Sequence, residues 1–436
     1  MGISLALGCA AALVALGDLR GAVHETIALM LIWGVCALSF RPERGRPYHV
    51  LLAALAIRAV MLLSPPTLSD DLFRYLWEGH AAWEGGNPYL YPPNAAMWPD
   101  DPIRAQVNHP EVSSIYPPMA IWGFALLGQL AYHPISIKAA MGVCDALIAW
   151  GLARILVGRR RALTGAWLYA LHPLAVVESA GSGHLEPASV LCMVMAIYAW
   201  DRGFSGVLWA GLGGLIKLVP GVLLLRFARR SPASVALIVV LGIGTAAPFL
   251  DAGLLLGRGL STYAQHWAFN ASLFSVYSAL FGTWARPLAV GTGVAVTLWA
   301  LARRADPAVI MLWVGGAFVL LSPTVHPWYI AWAWVPALIC GVRSWSLLAT
   351  LAPLSYVALA SYDPTTSSWE EPAWPAWAQH LPFLIALLVE SLWHQIQPGP
   401  WAPGASTDTS PSRSQTSPDR STPDPRSAPS RIEPDA

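Results

Sequence analysis

The sequence predicts an all-α fold, a polytopic transmembrane helical bundle with an amphipathic interfacial helix in a large first outer loop. Three observations predict it. Of 436 residues, 55% are apolar and only 12% are charged, against about 25% charged in an average soluble domain. Mean hydropathy is +0.50. The apolar residues fall into runs that approach the roughly 20 residues a spanning helix needs. These features exclude a soluble globular domain, a disordered chain and a coiled coil, and the net charge of +1 argues against nucleic acid as a partner.

In chain order the runs lie at 3–17, 22–40, 48–64, 117–132, 136–157, 163–178, 187–201, 205–225, 232–250, 286–302, 307–323, 328–342, 344–361 and 380–396. Several are short, so the expectation is about 11–14 spans. The first run reads as a retained helix, because Met1 is followed by neither a basic stretch nor a small-residue cleavage site. Cys9, Cys36, Cys144, Cys192 and Cys340 all fall inside apolar runs and read as small buried hydrophobes. No CxxC or Cys/His spacing suggests a metal.

Three regions are not membrane-like: 65–116, 251–271 and 397–436. The last, rich in Ser, Pro, Asp and Arg, cannot bury enough apolar surface to offset ordering entropy and is expected to be a disordered cytoplasmic tail. Residues 1–396 then form one polytopic domain. Arginine placement orients it. "RPERGRP" at 41–47, "GRRR" at 158–161, Arg202, "RFARR" at 226–230, "RR" at 303–304 and Arg343 are assigned to the cytoplasm. The 65–116 segment and the 179–186, 251–271 and 362–379 loops, with "SPTVHPWY", fall outside. The parity is not clean: two apolar runs separate 65–116 from 158–161. Either 117–132 is re-entrant or "GRRR" breaks the rule. The stretch 204–225 has the same conflict, which a break at Lys217-Leu218-Val219-Pro220 between two short helices would relieve.

The informative outer stretch is "SDDLFRYLWEGHAAWEGGNPYLYPP" at 69–93. Ser69 suits an N-cap, and Asp70 and Asp71 suit the positive end of a helix. Leu72, Phe73, Leu76, Trp77 and Trp83 recur at helical spacing, which predicts a helix lying in the membrane interface, stopped by Gly85-Gly86-Asn87-Pro88. Two carboxylates therefore stand at the membrane–water boundary. There a carboxylate can act as general base, taking the proton of an acceptor hydroxyl that attacks a lipid-linked donor. The plainer reading is that both acids only cap a surface helix.

From these residues a family resemblance follows. "DDLFRYLWEGH" with "GGNPYLY", then "NHPEVSSIYPPMA", "SGHLEP", "YAQHWAFN" and "HPWYIAWAWVPAL" occur in order between about residue 50 and about residue 340. This series resembles bacterial members of the GT-C glycosyltransferase superfamily, of the glycosyltransferase 87 type that uses polyprenyl-phosphate mannose. The resemblance implies a multi-spanning fold in the cell (plasma or inner) membrane, with an acidic motif in its first outer loop. It implies transfer of a mannose-like hexose from a polyprenyl-phosphate sugar to a glycan or glycolipid acceptor on the extracytoplasmic face. Inversion, and no metal or other cofactor, are implied as well. The family's catalytic acid maps onto the Asp70-Asp71 pair; one register selects Asp70, the other, slightly favoured, Asp71. The motif residues Arg74, Glu78, His80, Asn87 and Tyr89 are then expected to contact substrate. Two departures bear on sugar or acceptor choice: Trp77-Glu78-Gly79-His80 stands where relatives read WDGR, and Ser182-Gly183-His184-Leu185-Glu186 where they often read NGHxD.

Other candidates each carry a plainer alternative. His184 and Glu186 are candidates to hold the acceptor, or simply cap before Pro187. Lys217, a charge among apolar residues, is a candidate to neutralise the donor phosphate or snorkels to an interface. His326, Trp328 and Tyr329 suit contact with phosphate or prenyl chain, or form an aromatic belt with Trp332 and Trp334. Gln265, His266 and Asn270, beside Tyr263 and Trp267, combine amide and aromatic groups that suit a sugar. The alternative is a surface helix. Asp145, an intramembrane carboxylate, either pairs structurally with an arginine such as Arg154 or takes part in catalysis. Rival functions are a lipid-linked glycan polymerase or ligase and a transporter or flippase. The second lacks the internal repeat and polar path it would need.

Overall fold

A computed structural model describes residues 2–40, 42, 45–303, 305–363, 365–366 and 368–396. The tail at 397–436 and Arg41, Glu43, Arg44 and Arg304 of the basic clusters lie outside the described residues. One compact unit runs from Met1 to Ser391 and contains every contact below; a second covers Leu392–Ala436.

The described residues are helical, with no strand beyond two isolated bridges. In order the helices are α1 Gly2–Leu16, α2 Val23–Ser39, α3 Pro47–Met61, α4 Asp71–Trp83, α5 Pro118–Leu130, α6 Pro134–Gly158, α7 Thr164–Leu171, α8 Pro173–Val176, α9 Glu186–Tyr198 and α10 Phe204–Ile216. They continue with α11 Val222–Phe227, α12 Pro232–Ala246, α13 Arg258–His266, α14 Leu273–Phe281, α15 Ala285–Ala302, α16 Pro307–Leu321, α17 Ala331–Cys340, α18 Ser344–Leu351 and α19 Trp374–Ile396. Proline opens α3, α5, α6, α12 and α16, where its missing N–H costs nothing and its fixed φ suits the first turn.

Among the described residues, four helical stretches are long and apolar enough to cross a membrane: Pro134–Gly158, Pro232–His266, Leu273–Ala302 and Ser344–Ser361. Eight further apolar helices have 10–17 residues. At about 1.5 Å per residue, α5 runs only about 20 Å, short of the roughly 30 Å hydrocarbon layer. Apolar side chains stand bare on α12 and α15, among them Val240, Ile243, Val290 and Leu298. Such a surface suits lipid rather than water. All five cysteines are free thiols.

Several predicted runs are broken. The run 163–178 kinks at His172-Pro173 and closes as a π-turn over Val177–Gly181. The run 205–225 breaks at Lys217, which adopts an extended conformation before a 3-10 turn at Val219–Gly221. The outer 251–271 region is largely helical: α13 takes in the start of 263–270, where a surface helix was the plainer alternative, and α14 lies outside every predicted run. The predicted loop 362–379 shortens, because α19 begins at Trp374.

The core packs α1–α3 and α6–α9 against α16–α18, with Trp33, Trp332 and Trp334 almost fully buried. A closed polar cluster sits inside it. Arg58 Nε donates to Asp145 Oδ2 at 2.7 Å and Nη1 to the Ala170 carbonyl at 2.7 Å, while Tyr169 donates its hydroxyl to Asp145. Asp145 therefore pairs with Arg58, not with Arg154, whose guanidinium meets the Tyr198 hydroxyl at 3.1 Å. Arg58 lies inside the bundle, whereas Arg154 is on the outer side of α6. Nearby, the Lys138 ammonium donates to the Leu62 and Ser64 carbonyls. That contact fixes the chain as it leaves α3 toward the acidic pair.

The α4 helix does not lie open on a surface. Nine of its thirteen residues are buried, including Arg74 and Glu78, because the 84–117 segment folds back over its polar side. Against α5 the approach is so close that a Cβ on Gly79 would stand 2.5 Å from the Ala125 nitrogen.

Candidate active site

A cavity of about 210 Å³ opens where the start of α4 faces the segment between α16 and α17. Asp70, Asp71 and Arg74 come from the first element, Lys217 from the α10 break, and His326, Trp328 and Tyr329 from the second. Thus seven of the residues singled out by sequence, spread over more than 250 positions, share one lining.

The two acids have different surroundings. Asp70, not Ser69, is the N-cap residue of α4, yet its carboxylate makes no cap bond. It accepts from Arg20 Nη2 at 2.8 Å and from the Tyr362 hydroxyl at 2.7 Å. Ser69 instead accepts from the Asp71 N–H at 3.3 Å. The Asp71 carboxylate, half-buried in the cavity wall, makes no side-chain hydrogen bond or ion pair among the described residues.

Arg74 reaches the lining but is spent on structure. Its Nη1 donates to Glu78 at 3.2 Å and the Val112 carbonyl at 3.0 Å, and its Nη2 to the Asn108 carbonyl at 2.5 Å and the His109 carbonyl at 2.8 Å. Glu78 is fully buried and also accepts from the Ser114 hydroxyl at 2.7 Å. Burial pushes its carboxyl above the usual range, and Arg74 and Ser114 pull it back. The pair thus pins the 108–114 loop, which presents His109 to the cavity with φ at +44°, a conformation non-glycine residues seldom adopt. Burial lowers the His109 imidazole below its ordinary value, against the raising effect of Glu111.

On the facing wall the Lys217 ammonium is paired with Glu186 and stands 5.1 Å from the Tyr329 ring centroid. Glu186 is buried and presents Lys217 to the cavity rather than lining it. A column of stacked rings runs beside them. Phe269 lies 5.1 Å from His326, His326 lies 4.5 Å from Trp328 at an interplanar angle of 5°, and Trp328 lies 3.5 Å from His184. His184 is buried beneath this stack, with Nδ1 2.8 Å from Glu178. Aromatic faces beside one cation and one free carboxylate offer surfaces for sugar and prenyl carbon, a phosphate partner and a proton acceptor.

Of the other singled-out residues, Ser69, Tyr263 and Trp267 also line the cavity, and the following stand outside it. The His80 ring lies 4.7 Å from that of Tyr132. Asn87 donates to Asp251 at 2.5 Å, and Tyr89 donates its hydroxyl to the Tyr116 carbonyl at 2.7 Å; both are buried. Gln265 and His266 are exposed and bond within α13, to Ser261 and the Thr262 carbonyl. Asn270 is a clamp, with φ at +49°. Its side chain meets the Val325 carbonyl and Gln379, each at 3.2 Å, and its N–H donates to Glu371 at 2.6 Å.

Sequence reasoning missed Arg20, His109, Tyr356, Tyr362 and Trp369, all in the lining. One signal was available for Arg20. It lies between the first two runs, opposite the basic 41–47 cluster, on the side assigned to the acidic segment. Nothing local marks Tyr362 or Trp369.

A family model described as alpha-(1->6)-mannopyranosyltransferase, N-terminal domain, matches residues 9–234, a stretch that includes Asp70, Asp71, Glu186 and Lys217. The chain is similar to alpha-(1->6)-mannopyranosyltransferase B of Corynebacterium glutamicum, 24% identical over 79% of this chain and 68% of that protein. It is similar to alpha-(1->6)-mannopyranosyltransferase A of Mycobacterium tuberculosis, 24% identical over 63% of this chain and 62% of that protein. A probable alpha-(1->6)-mannopyranosyltransferase of Mycolicibacterium smegmatis is 23% identical over 80% of this chain and 74% of its own length.

Proposed function

The chain belongs to the alpha-(1->6)-mannopyranosyltransferase family, a glycosyltransferase membership, and on that premise we propose that it moves a mannosyl unit from a polyprenyl-phosphate donor to a glycan or glycolipid acceptor. Asp71 is the general base. The acceptor oxygen attacks the sugar's anomeric carbon as the bond from that carbon to the phosphate oxygen breaks. The acceptor proton passes to Asp71, and the lipid leaves as a phosphate monoester. The carbon inverts.

The single observation that carries this reading is the unpartnered Asp71 carboxylate in a cavity whose facing wall holds Lys217. A base must be free to take a proton, and a leaving phosphate needs a cation rather than an acid. Asp70 is the positioning acid, tethering the α4 start to Arg20 and Tyr362. Arg74 has no role at the phosphate, because its hydrogen bonds among the described residues go to Glu78 and the 108–112 backbone. The reading includes a GT-C-like bundle of about 11–14 spans, counting short and re-entrant helices such as α5. It includes an α4 that rests at the interface, a site on the extracytoplasmic side of the cell membrane and no metal or other cofactor.

The test uses full-length protein in detergent micelles with EDTA. Labelled polyprenyl-phosphate mannose and glucose are offered with an alpha-(1->6)-linked mannoside acceptor. Mannosyl transfer in EDTA is expected. Transfer only from glucose would overturn the sugar, and loss on adding EDTA would overturn the metal-free reaction. Donor binding without turnover would favour a carrier.

A further inference from the structure

A second gathering of charge stands at the far end of α6 and α9 from the cavity. Lys138 of α6 holds the chain that leads to the acidic pair, and Glu186 opens α9 beside Lys217. At about 1.5 Å per residue, Arg154 lies about 24 Å beyond Lys138 along α6, and Tyr198 about 18 Å beyond Glu186 along α9. There three arginines rest on aromatic rings. The Tyr198 ring carries two guanidiniums, Arg154 at 5.8 Å from its centroid and Arg202 at 5.2 Å. Arg154 also lies 5.4 Å from the Trp150 ring. Arg230 lies 4.7 Å from the Trp200 ring and donates from Nη1 to the Trp200 carbonyl at 3.0 Å. Trp200 in turn packs on buried Phe227, with ring centroids 3.6 Å apart.

The rings set where the cations stand and leave most of their donors open. A guanidinium has five N–H donors. Among the described residues, Arg154 uses one on the Tyr198 hydroxyl, Arg230 one on the Trp200 carbonyl, and the Arg202 side chain none. All three are exposed, and none has a carboxylate partner among the described residues; Asp201, the acid of the same turn, pairs with none of them. Neighbouring arginines are spent on structure: Arg159 pairs with Asp306, and Arg161 donates to the Ile339 carbonyl.

The surroundings indicate what covers the patch. Val143, three turns before Arg154, and Val157, one turn after it, share its face of α6, and each is 49% exposed. Phe204, beside Arg202, is exposed as well. Bare apolar side chains of this kind suit acyl chains, and a guanidinium set among them calls for an anion at the same depth.

We propose that this patch binds the headgroup of an anionic phospholipid. Its phosphate lies between Arg154 and Arg202 over Tyr198, Arg230 on Trp200 gives a further contact, and the acyl chains run along Val143. Planar guanidiniums match phosphate oxygens in pairs. A soluble phosphate or an acidic peptide would satisfy the cations but leave the apolar face of α6 bare. This is the end that arginine placement assigns to the cytoplasm, and the site is independent of whether the chain transfers mannose.

Native mass spectrometry of the full-length protein in maltoside micelles tests it. Dioleoyl phosphatidylglycerol should bind at least about tenfold more tightly than dioleoyl phosphatidylcholine, since each arginine near a phosphate contributes about fivefold. Arg202→Gln removes no side-chain hydrogen bond, so folding is not at stake, and it should lose about fivefold of that preference. Arg154→Gln/Arg202→Gln should bring the two lipids close to parity. Arg303, an exposed arginine 4.9 Å from the Trp299 ring and outside the patch, supplies the control: Arg303→Gln should keep the full preference. Equal binding of the two lipids by the native chain overturns the site. So does a preference that survives the double substitution or falls as far in Arg303→Gln. Displacement of phosphatidylglycerol by equimolar glycerol 3-phosphate or a polyglutamate peptide overturns the lipid as its ligand.

Discussion

The Arg58–Asp145–Tyr169 cluster and the cavity around Asp71 both place charge among apolar helices, but only the first closes on itself. In the cluster, a guanidinium, a carboxylate, a phenol and a backbone carbonyl satisfy one another with both charged side chains 2% exposed. In the cavity, Asp71 has no partner among the described residues, and Lys217 has one carboxylate for its three N–H donors. A closed network offers a ligand nothing and serves the fold; an open one leaves hydrogen-bonding capacity for a substrate to complete. Asp70 and Asp71 repeat the contrast between adjacent residues.

Substitutions can break or sharpen this contrast. The largest effect on turnover is expected at Asp71. Asp71→Asn should lower kcat by about 10²–10⁴, the usual contribution of a general base, with an unchanged melting temperature in micelles. Asp70→Asn should do the reverse, costing about 1–3 kcal/mol of stability for loosened charged hydrogen bonds and less turnover. If both proteins kept full activity, the open-network argument would fail.

The largest stability effect belongs to the closed cluster. Arg58→Met strands Asp145 and should cost about 3–5 kcal/mol, most of it recovered in Arg58→Met/Asp145→Leu because the stranded charge is gone. Thermal unfolding reads both. A high-yield, stable single variant would contradict the structural role.

Lys217→Met should lower kcat by about 10²–10³, as loss of one charge-stabilising donor does. The double variant with Glu186→Gln should regain stability but not activity. Recovered activity would make Lys217 a scaffold residue and return the cavity to the closed class.

The smallest effect concerns His109. Burial depresses its folded value, so its contribution to stability is present above about pH 6.5 and is lost as pH falls from there through the lowered folded value. The melting temperature of His109→Gln should therefore fall less steeply than that of the native chain below that pH. Parallel slopes would remove His109 from the account.

Much of the fold was legible because its cues are local. The helices α1 to α3, α6, α9 and α16 start and stop within a few residues of the predicted runs, since apolar stretches and helix-opening prolines are read along the chain. The break at Lys217 was also readable, from a charge and a proline in one apolar run. The π-turn after Pro173 and α14 were not; a helix over 263–270 stood only as the plainer alternative to a sugar site, and α13 ends inside that stretch. In the site, the acidic pair, Lys217 and the His326 motif could be singled out as charges or rings in unusual company. Arg74 and Glu78 carried the same signals and turned out to hold the outer loop.

The sequence by itself determined a helical membrane protein, the run positions, the acidic start of α4 and the family resemblance. These depend on hydropathy, capping and motif order, which neighbouring residues express together. Only the tertiary structure decided which acid is tied and which is free. It also decided that Asp145 takes Arg58, and that Arg20 and Tyr362 belong to the site. The tie on Asp70 comes from residues 50 and 292 positions away. Whether a polar group is satisfied depends on such chain-distant contacts, and local pattern carries no record of them.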